Sequence, residues 1–364
     1  MSLFRRCLTA LALGWLCLPG AAQAADPPAV LAAPADQRDA LRATIAAAIK
    51  EGSVSYWDTV IQPETHDALA TAFRSEYGIP AAFAVRYTLS PTLGLVTRVE
   101  QEVSAGNVTI DIASIASPPW IDTLVSAGHV LKYTSSSYSA YGTAFAAGLG
   151  RPDYYAFNGA YMFVPTWNDD TLKFKGKSWK DILTSVPPGR LSLNDSGNSA
   201  TALLAYIGLR SVLGTDYFKD LAKLKPAFIV RSESTAERLV TGQDLMAFGG
   251  MPTRAYQYNE RGANLKFLLP SEGVVLMPQC TFILTKAPHP NGAKLWLDFV
   301  LSSKGQTILS KAEALISGRS GFQSPLPAYA PAIDSLTLIR MEWDKITPEV
   351  LKAAKAEWLS IFNP

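Results

Sequence analysis

The chain has 364 residues, of which 48% are hydrophobic and 18% charged, with a formal charge of +2. That balance offers no basic surface for nucleic acid or an acidic membrane. The length exceeds what one hydrophobic core usually holds, so two domains are expected.

In chain order, Arg5 and Arg6 precede an apolar run, Leu8–Leu18, and Ala22-Gln23-Ala24 forms a small-x-small site. This order predicts a signal peptide, residues 1–24, cleaved after Ala24, and a periplasmic mature protein. The run is shorter than the roughly 20 apolar residues of a membrane span, which disfavours an uncleaved anchor. Bulky Trp15-Leu16 before Cys17 suits a lipoprotein signal poorly. Cleavage removes Cys7 and Cys17, leaving Cys280, so no intramolecular disulfide is expected. It also removes Arg5 and Arg6, so 31 basic residues face 31 acidic ones, a balance of zero.

Ala25–Asp39 reads as a loose Ala/Pro leader. Then follow a helix at Leu41–Lys50, a strand at Ser53–Trp57, a helix at Thr65–Tyr77, a strand at Ala82–Tyr87, a helix at Leu93–Ser104, a strand at Val108–Ile115 and a helix at Ile121–Ala127. Gly52, Gly78, Gly106 and Gly128 punctuate them. Alternating strands and helices predict a doubly wound α/β domain, whose ligand sits beyond the carboxyl ends of its strands. Those ends supply the candidates Trp57, Asp58, Thr59, Thr88, Ser90 and Ser117.

Tyr154–Val164 reads as one long aromatic strand, with Tyr161 a candidate for a cleft wall. A second α/β unit follows, with strands at Leu191–Leu193, Phe228–Arg231 and Leu245–Phe248 and helices at Ala200–Leu213 and Ser234–Thr241. Phe267–Leu269 and Val274–Met277 read as strands leading back out. Thr281–Thr285 is a further strand, and Gly292–Ser302 a helix.

Catalytic motifs are sparse. His66, His129 and His289 are scattered and read as surface residues, and Cys280 reads as a buried structural thiol. No Walker loop, nucleophile elbow or zinc-protease motif occurs. The helix start with Ser196, Gly197, Asn198 and Ser199 can present amides to an anion, or be an ordinary cap. Gly249-Gly250 permits close backbone approach, and Thr253 and Arg254 follow; Arg254 can pair with a carboxylate or phosphate, or lie solvated.

Several stretches together resemble the periplasmic solute-binding proteins of ABC importers, in the branch for ferric ion, phosphonate, thiamine and polyamine. They are Ala47-Ala48-Ile49-Lys50-Glu51-Gly52, Ala72-Phe73-Arg74-Ser75-Glu76-Tyr77-Gly78, Arg98–Glu102 with Ala105-Gly106 and Asp111-Ile112, Ser178-Trp179-Lys180-Asp181, Glu272-Gly273, and Ala293–Gln306. The resemblance implies a type II-like periplasmic binding protein of two lobes, each a doubly wound sheet, joined by crossover strands. Lobe one would comprise residues 25–157 plus 275–364, and lobe two residues 158–274. It also implies a small-molecule ligand in the cleft, hinge closure, and delivery to an inner-membrane permease, by a monomer without cofactor, metal or catalysis. The ferric members' Tyr-Tyr pair falls by position on Met251 and Pro252, neither a ligand for a hard cation. Few acids lie in the candidate loops, chiefly Asp58 and Asp195, which disfavours a polyamine. A small organic anion is the leading expectation. The alternatives are a metal or metal-chelate binder with a rearranged site, and an exported enzyme on the same scaffold.

Overall fold

The computed structural model describes residues 25–362, so the signal peptide expected at 1–24 lies outside the described residues. The first sheet has six strands in the order β2-β1-β3-β11-β5-β4. They are β1 (Ser53–Asp58), β2 (Ala84–Leu89), β3 (Ile112–Ile115), β4 (Gly150–Arg151), β5 (Tyr155–Met162) and β11 (Leu276–Ile283). The second has five, β10-β6-β9-β7-β8. They are β6 (Val164–Asn168), β7 (Leu191–Asn194), β8 (Ala227–Ile229), β9 (Met246–Gly250) and β10 (Leu265–Phe267). β1 runs parallel to β2 and β3, and β7 runs parallel to β8 and β9. With helices between them, these are two α/β lobes of the expected class.

The early helices stop where the sequence says they should. Arg38–Glu51, Pro63–Tyr77 and Thr92–Ala105 each end on a glycine in the left-handed region, at φ 78, 61 and 68. Each chain reversal returns the next strand to the sheet. On the first lobe's inner face Phe73 packs against Trp296 and Phe299, with ring centroids 5.2 and 5.8 Å apart. Burying a ring such as Phe73 stabilises by about 1.5–3 kcal/mol. Trp179 and Phe248, at 4.8 Å, anchor the second lobe.

Four expectations need correction. The stretch read as one strand through Val164 is two: β5 pairs in the first sheet, Phe163 intervenes, and β6 pairs in the second. Alternation alone cannot show a strand changing sheets. The strands expected at Val274–Met277 and Thr281–Thr285 are one, β11. It passes through Pro278, and its register shifts between Gln279 and Cys280. The supposed loose leader contains the helix Pro28–Ala32 and a 3-10 turn, Ala35–Gln37. Val30 is fully buried, and Asp26 pairs with Arg42 at 2.7 Å.

The fourth concerns the chain's end, expected in lobe one. The helix Pro348–Phe362 packs on the second lobe instead. Trp358 meets Phe228 at 5.2 Å, and Glu357 accepts from Tyr206 and Thr215 and pairs with Arg210. Residues 336–347 carry the chain there, bonded to Val274 as they pass. Among the described residues no helix is long and apolar enough to cross a membrane.

Candidate functional site

A cleft of about 610 Å³ lies between the lobes. Its first wall comes from the ends of β1 and β2, with Thr59, Val60, Gln62, Leu89, Ser90 and Thr92. Its second comes from the ends of β7, β8 and β9, with Asn194, Ser199, Thr201, Arg231, Ser232, Glu233, Met251 and Arg254. Tyr161 and Phe163, at the crossover, form the floor. Strands ending into helices place those helices' first residues in the walls. Five helices begin here: Pro63–Tyr77 behind Gln62, Thr92–Ala105, Ala200–Leu213 behind Ser199, Ser232–Val240 behind Arg231, and Pro252–Asn259 behind Met251. Unpaired amides at helix starts carry partial positive charge, which favours an anion placed near them.

The first wall satisfies much of its own backbone. Asp58 is fully buried beneath it. Its Oδ1 accepts from the amides of Val60 and Ile61 at 2.6 and 2.8 Å, and its Oδ2 from the Tyr56 hydroxyl at 2.5 Å. Burial pushes this carboxyl above its ordinary range, against the pull of those donors. Glu313 fills the next helix start, accepting from the Gln62 amide at 2.8 Å and the Thr65 hydroxyl at 2.6 Å. The Tyr87 hydroxyl donates to the Ile61 carbonyl, and its ring stacks on His66 at 4.3 Å. His66 was expected at the surface and is buried; a neutral imidazole packs as an aromatic here, and burial lowers its pKa. Gln279 of β11 donates to Asp58, to the Thr59 hydroxyl at 2.9 Å and to the Ser114 carbonyl, linking this wall to a crossover strand.

The second wall is less filled. Ser199 caps its helix, its hydroxyl accepting from the Ala202 amide at 3.3 Å. The amides of Ala200 and Thr201 have no acceptor among the described residues. The helix Ser232–Val240 has no side-chain cap. Arg254 donates to Ser232, Gln257 and Glu233, the last at 2.5 Å. Burial pushes the Tyr161 phenol up to about 12, with the Thr201 hydroxyl pulling the other way.

Of the residues singled out from sequence, Thr59, Ser90, Tyr161, Ser199 and Arg254 meet in this cleft. The others lie elsewhere. Trp57 packs half-buried against the core, beside Thr88 in the sheet register. Asp58 is behind the wall. Ser117 heads the helix Pro118–Ser126, outside this cleft. Ser196 is buried, Gly197 backs onto the Trp358 ring, and Asn198 is exposed and donates to Asp195 at 2.8 Å. Thr253 is buried. Gly249 and Gly250 do allow close approach, but to protein. A Cβ would stand 1.8 Å from Oδ1 of Asn194 at Gly249, and 2.3 Å from Oγ1 of Thr166 at Gly250. The sequence reading missed Arg231, Ser232, Glu233, Thr92 and Thr201. Their signal was available, since each sits within two residues of a helix start.

Cys280 is buried in β11, as expected. His289 also departs from the surface reading: it bonds buried Asp111 at 2.8 Å and Ser53 at 3.1 Å, tying β1 and β3 to the helix Pro290–Leu301. Among the described residues no group of three or more His, Cys, Asp or Glu is placed to hold a metal ion.

Comparison with known proteins agrees with this architecture. Residues 68–333 match the family described as bacterial extracellular solute-binding protein. An uncharacterized protein of Haemophilus influenzae is 25% identical over 196 residues, 52% of this chain and 56% of that protein. The match thus spans about half the length of that curated relative. Three solved structures share the fold, each covering 85% of this chain. Iron-bound HitA from Pseudomonas aeruginosa has a TM-score of 0.64 at 18% identity, with 99% of its own chain covered. The substrate binding protein of an ABC transporter from Agrobacterium tumefaciens has 0.70 at 14%, with 94% covered. AfuA from Actinobacillus pleuropneumoniae, with fructose 6-phosphate bound, has 0.68 at 18%, with 98% covered. The family match extends over most of the chain, and the chain belongs to the bacterial extracellular solute-binding proteins.

Proposed function

From that membership we propose that the chain is the periplasmic binding component of an ABC importer, and that its ligand is a small organic anion. A phosphonate, a phosphate ester or a carboxylate is the class intended. The observation that carries this reading is the convergence of helix starts on the cleft, four of them besides the one that Glu313 fills, with a lining whose single carboxylate, Glu233, is already paired with Arg254. Helix amides and hydroxyls stabilise an anion without reorganising. Thr59, Ser90, Ser199 and Thr201 supply the hydroxyls. The apolar residues Leu89, Phe163 and Met251 suit a carbon skeleton, and the cleft is larger than an inorganic ion needs.

The structural relatives include one holding iron and one holding a sugar phosphate. The side chains here favour the second kind of ligand. Met251 and Pro252 stand where the ferric members' tyrosine pair falls, and a thioether and a pyrrolidine ring offer ferric ion no anionic oxygen. Ligand bridging both walls would draw the lobes together about the β5–β6 and β10–β11 crossovers. Export after Ala24 and handover to a permease driven by an ATPase complete the reading, which is of binding without turnover. Native mass spectrometry of freshly purified protein tests it. The expected result is a retained adduct with the mass of an organic anion. Retained iron with no anion overturns it.

A further inference from the structure

We propose that Arg231, not Arg254, is the guanidinium that seizes the ligand's anionic group, and that Glu233 is a built-in counter-charge holding Arg254 out of its reach. This rests on the anion reading of the cleft.

Arg254 is the basic residue that its neighbouring glycines bring to notice, yet its nitrogens are engaged. Nε donates to the Ser232 hydroxyl at 3.0 Å, Nη1 to Oε1 of Gln257 at 2.6 Å and Nη2 to Oε1 of Glu233 at 2.5 Å. Only 16% of its side chain is exposed. A guanidinium grips an oxyanion best through two parallel N–H groups on one edge. To do so Arg254 would first have to give up a charge-assisted bond in a partly desolvated place.

Among the described residues Arg231 has no such tie. Its side chain is 77% exposed, and its nearest carboxylate oxygen, Oε2 of Glu233, is 3.9 Å away, the outer limit of an ion pair. An exposed pair at that distance is weak and screened. Arg231 lines the same cleft. Glu233 thus lies between two guanidiniums, gripped by Arg254 and only approached by Arg231. Two arginines and one glutamate leave the lining with one net positive charge, carried by the more exposed arm. The geometry therefore selects a ligand with one anionic head group. Removing the Glu233 charge would release Arg254 as a second point of grip.

The test is titration calorimetry of wild type, R231Q, R231K and E233Q with fructose 6-phosphate, glycerol 3-phosphate, methylphosphonate and succinate at two salt concentrations. For whichever anion wild type binds, R231Q is expected to weaken binding at least tenfold and flatten the salt dependence. R231K recovers part of the loss. E233Q binds about threefold tighter, an effect that a merely structural role for Glu233 would not produce. Melting curves of R231Q should match wild type, because the side chain is exposed. Binding by R231Q within twofold of wild type, or weaker binding by E233Q, overturns the proposal. If wild type binds none of the four, the anion reading itself falls before any variant is compared, and this proposal with it.

Discussion

On the first wall of the cleft, the amides of Val60, Ile61 and Gln62 are taken by Asp58 and Glu313, carboxylates of the chain itself. On the second, the amides of Ala200 and Thr201 have no acceptor among the described residues, and a guanidinium stands exposed beside a helix start without a side-chain cap. The turn from β1 into its helix is closed by the chain's own carboxylates, whereas the starts of the helices Ala200–Leu213 and Ser232–Val240 are not. A carboxylate of the chain occupies on the first wall what a ligand's anion would occupy on the second. The turn after β1 is thereby fixed in shape and tied through Gln279 to β11, while on the proposed reading the second wall keeps its polar groups for recognition.

The comparison can be broken most severely at Asp58. Its carboxylate accepts from Tyr56, Val60, Ile61 and Gln279. D58A strands these donors in or near the core, each at about 1–3 kcal/mol if left unpaired. A loss of about 3–5 kcal/mol in denaturant unfolding is expected, with the first lobe losing hydrogen-exchange protection before the second. Loss confined to the second lobe would contradict the assignment of Asp58 as organiser of the first wall.

A second change separates burial from satisfaction within the first lobe. Asp298 is buried like Asp58, but it has fewer partners, among them the Tyr133 hydroxyl at 2.8 Å. Burial pushes its carboxyl up to about 6, from an ordinary 3.8. Between those values the folded chain holds a proton that the unfolded chain has released, so this group lowers stability as pH rises through the window. The cost is fully present above pH 6 and amounts to about 2–3 kcal/mol. D298N should therefore raise the melting temperature at pH 7.5 and leave it nearly unchanged at pH 4. Equal shifts at both pH values would show that ionisation is not the cause.

The smallest effect belongs to the open wall. S199A removes a helix cap worth about 1 kcal/mol. Thermal unfolding should register that loss, while the first lobe's exchange protection stays as in wild type.

Much of this contrast was present in the sequence, though unevenly. Strand ends pointed to Thr59 and Ser90, and the run of small polar residues before Ala200 pointed to Ser199, because these signals are local. Asp58 was noticed as an acid in a candidate loop, but nothing local shows that its carboxylate turns inward. The Glu233–Arg254 pair joins two helices 21 positions apart in sequence, so Arg254 read as free. His66 looked like a surface residue until Tyr87 gave it a stacking face. The packing of Pro348–Phe362 on the second lobe depends on Trp358 finding Phe228, a contact that no periodicity encodes. The glycine pair was correctly read as a place of close approach, but the approaching groups are Asn194 and Thr166.

The central claim, that the cleft holds an organic anion, is tested most directly by calorimetric titration of the wild-type protein. The organic anions are run side by side with ferric citrate and spermidine. The account predicts one-to-one binding of an organic anion, weakened by salt and accompanied by a negative heat-capacity change as the lobes close. Binding of ferric ion or spermidine, with no organic anion bound, would contradict it.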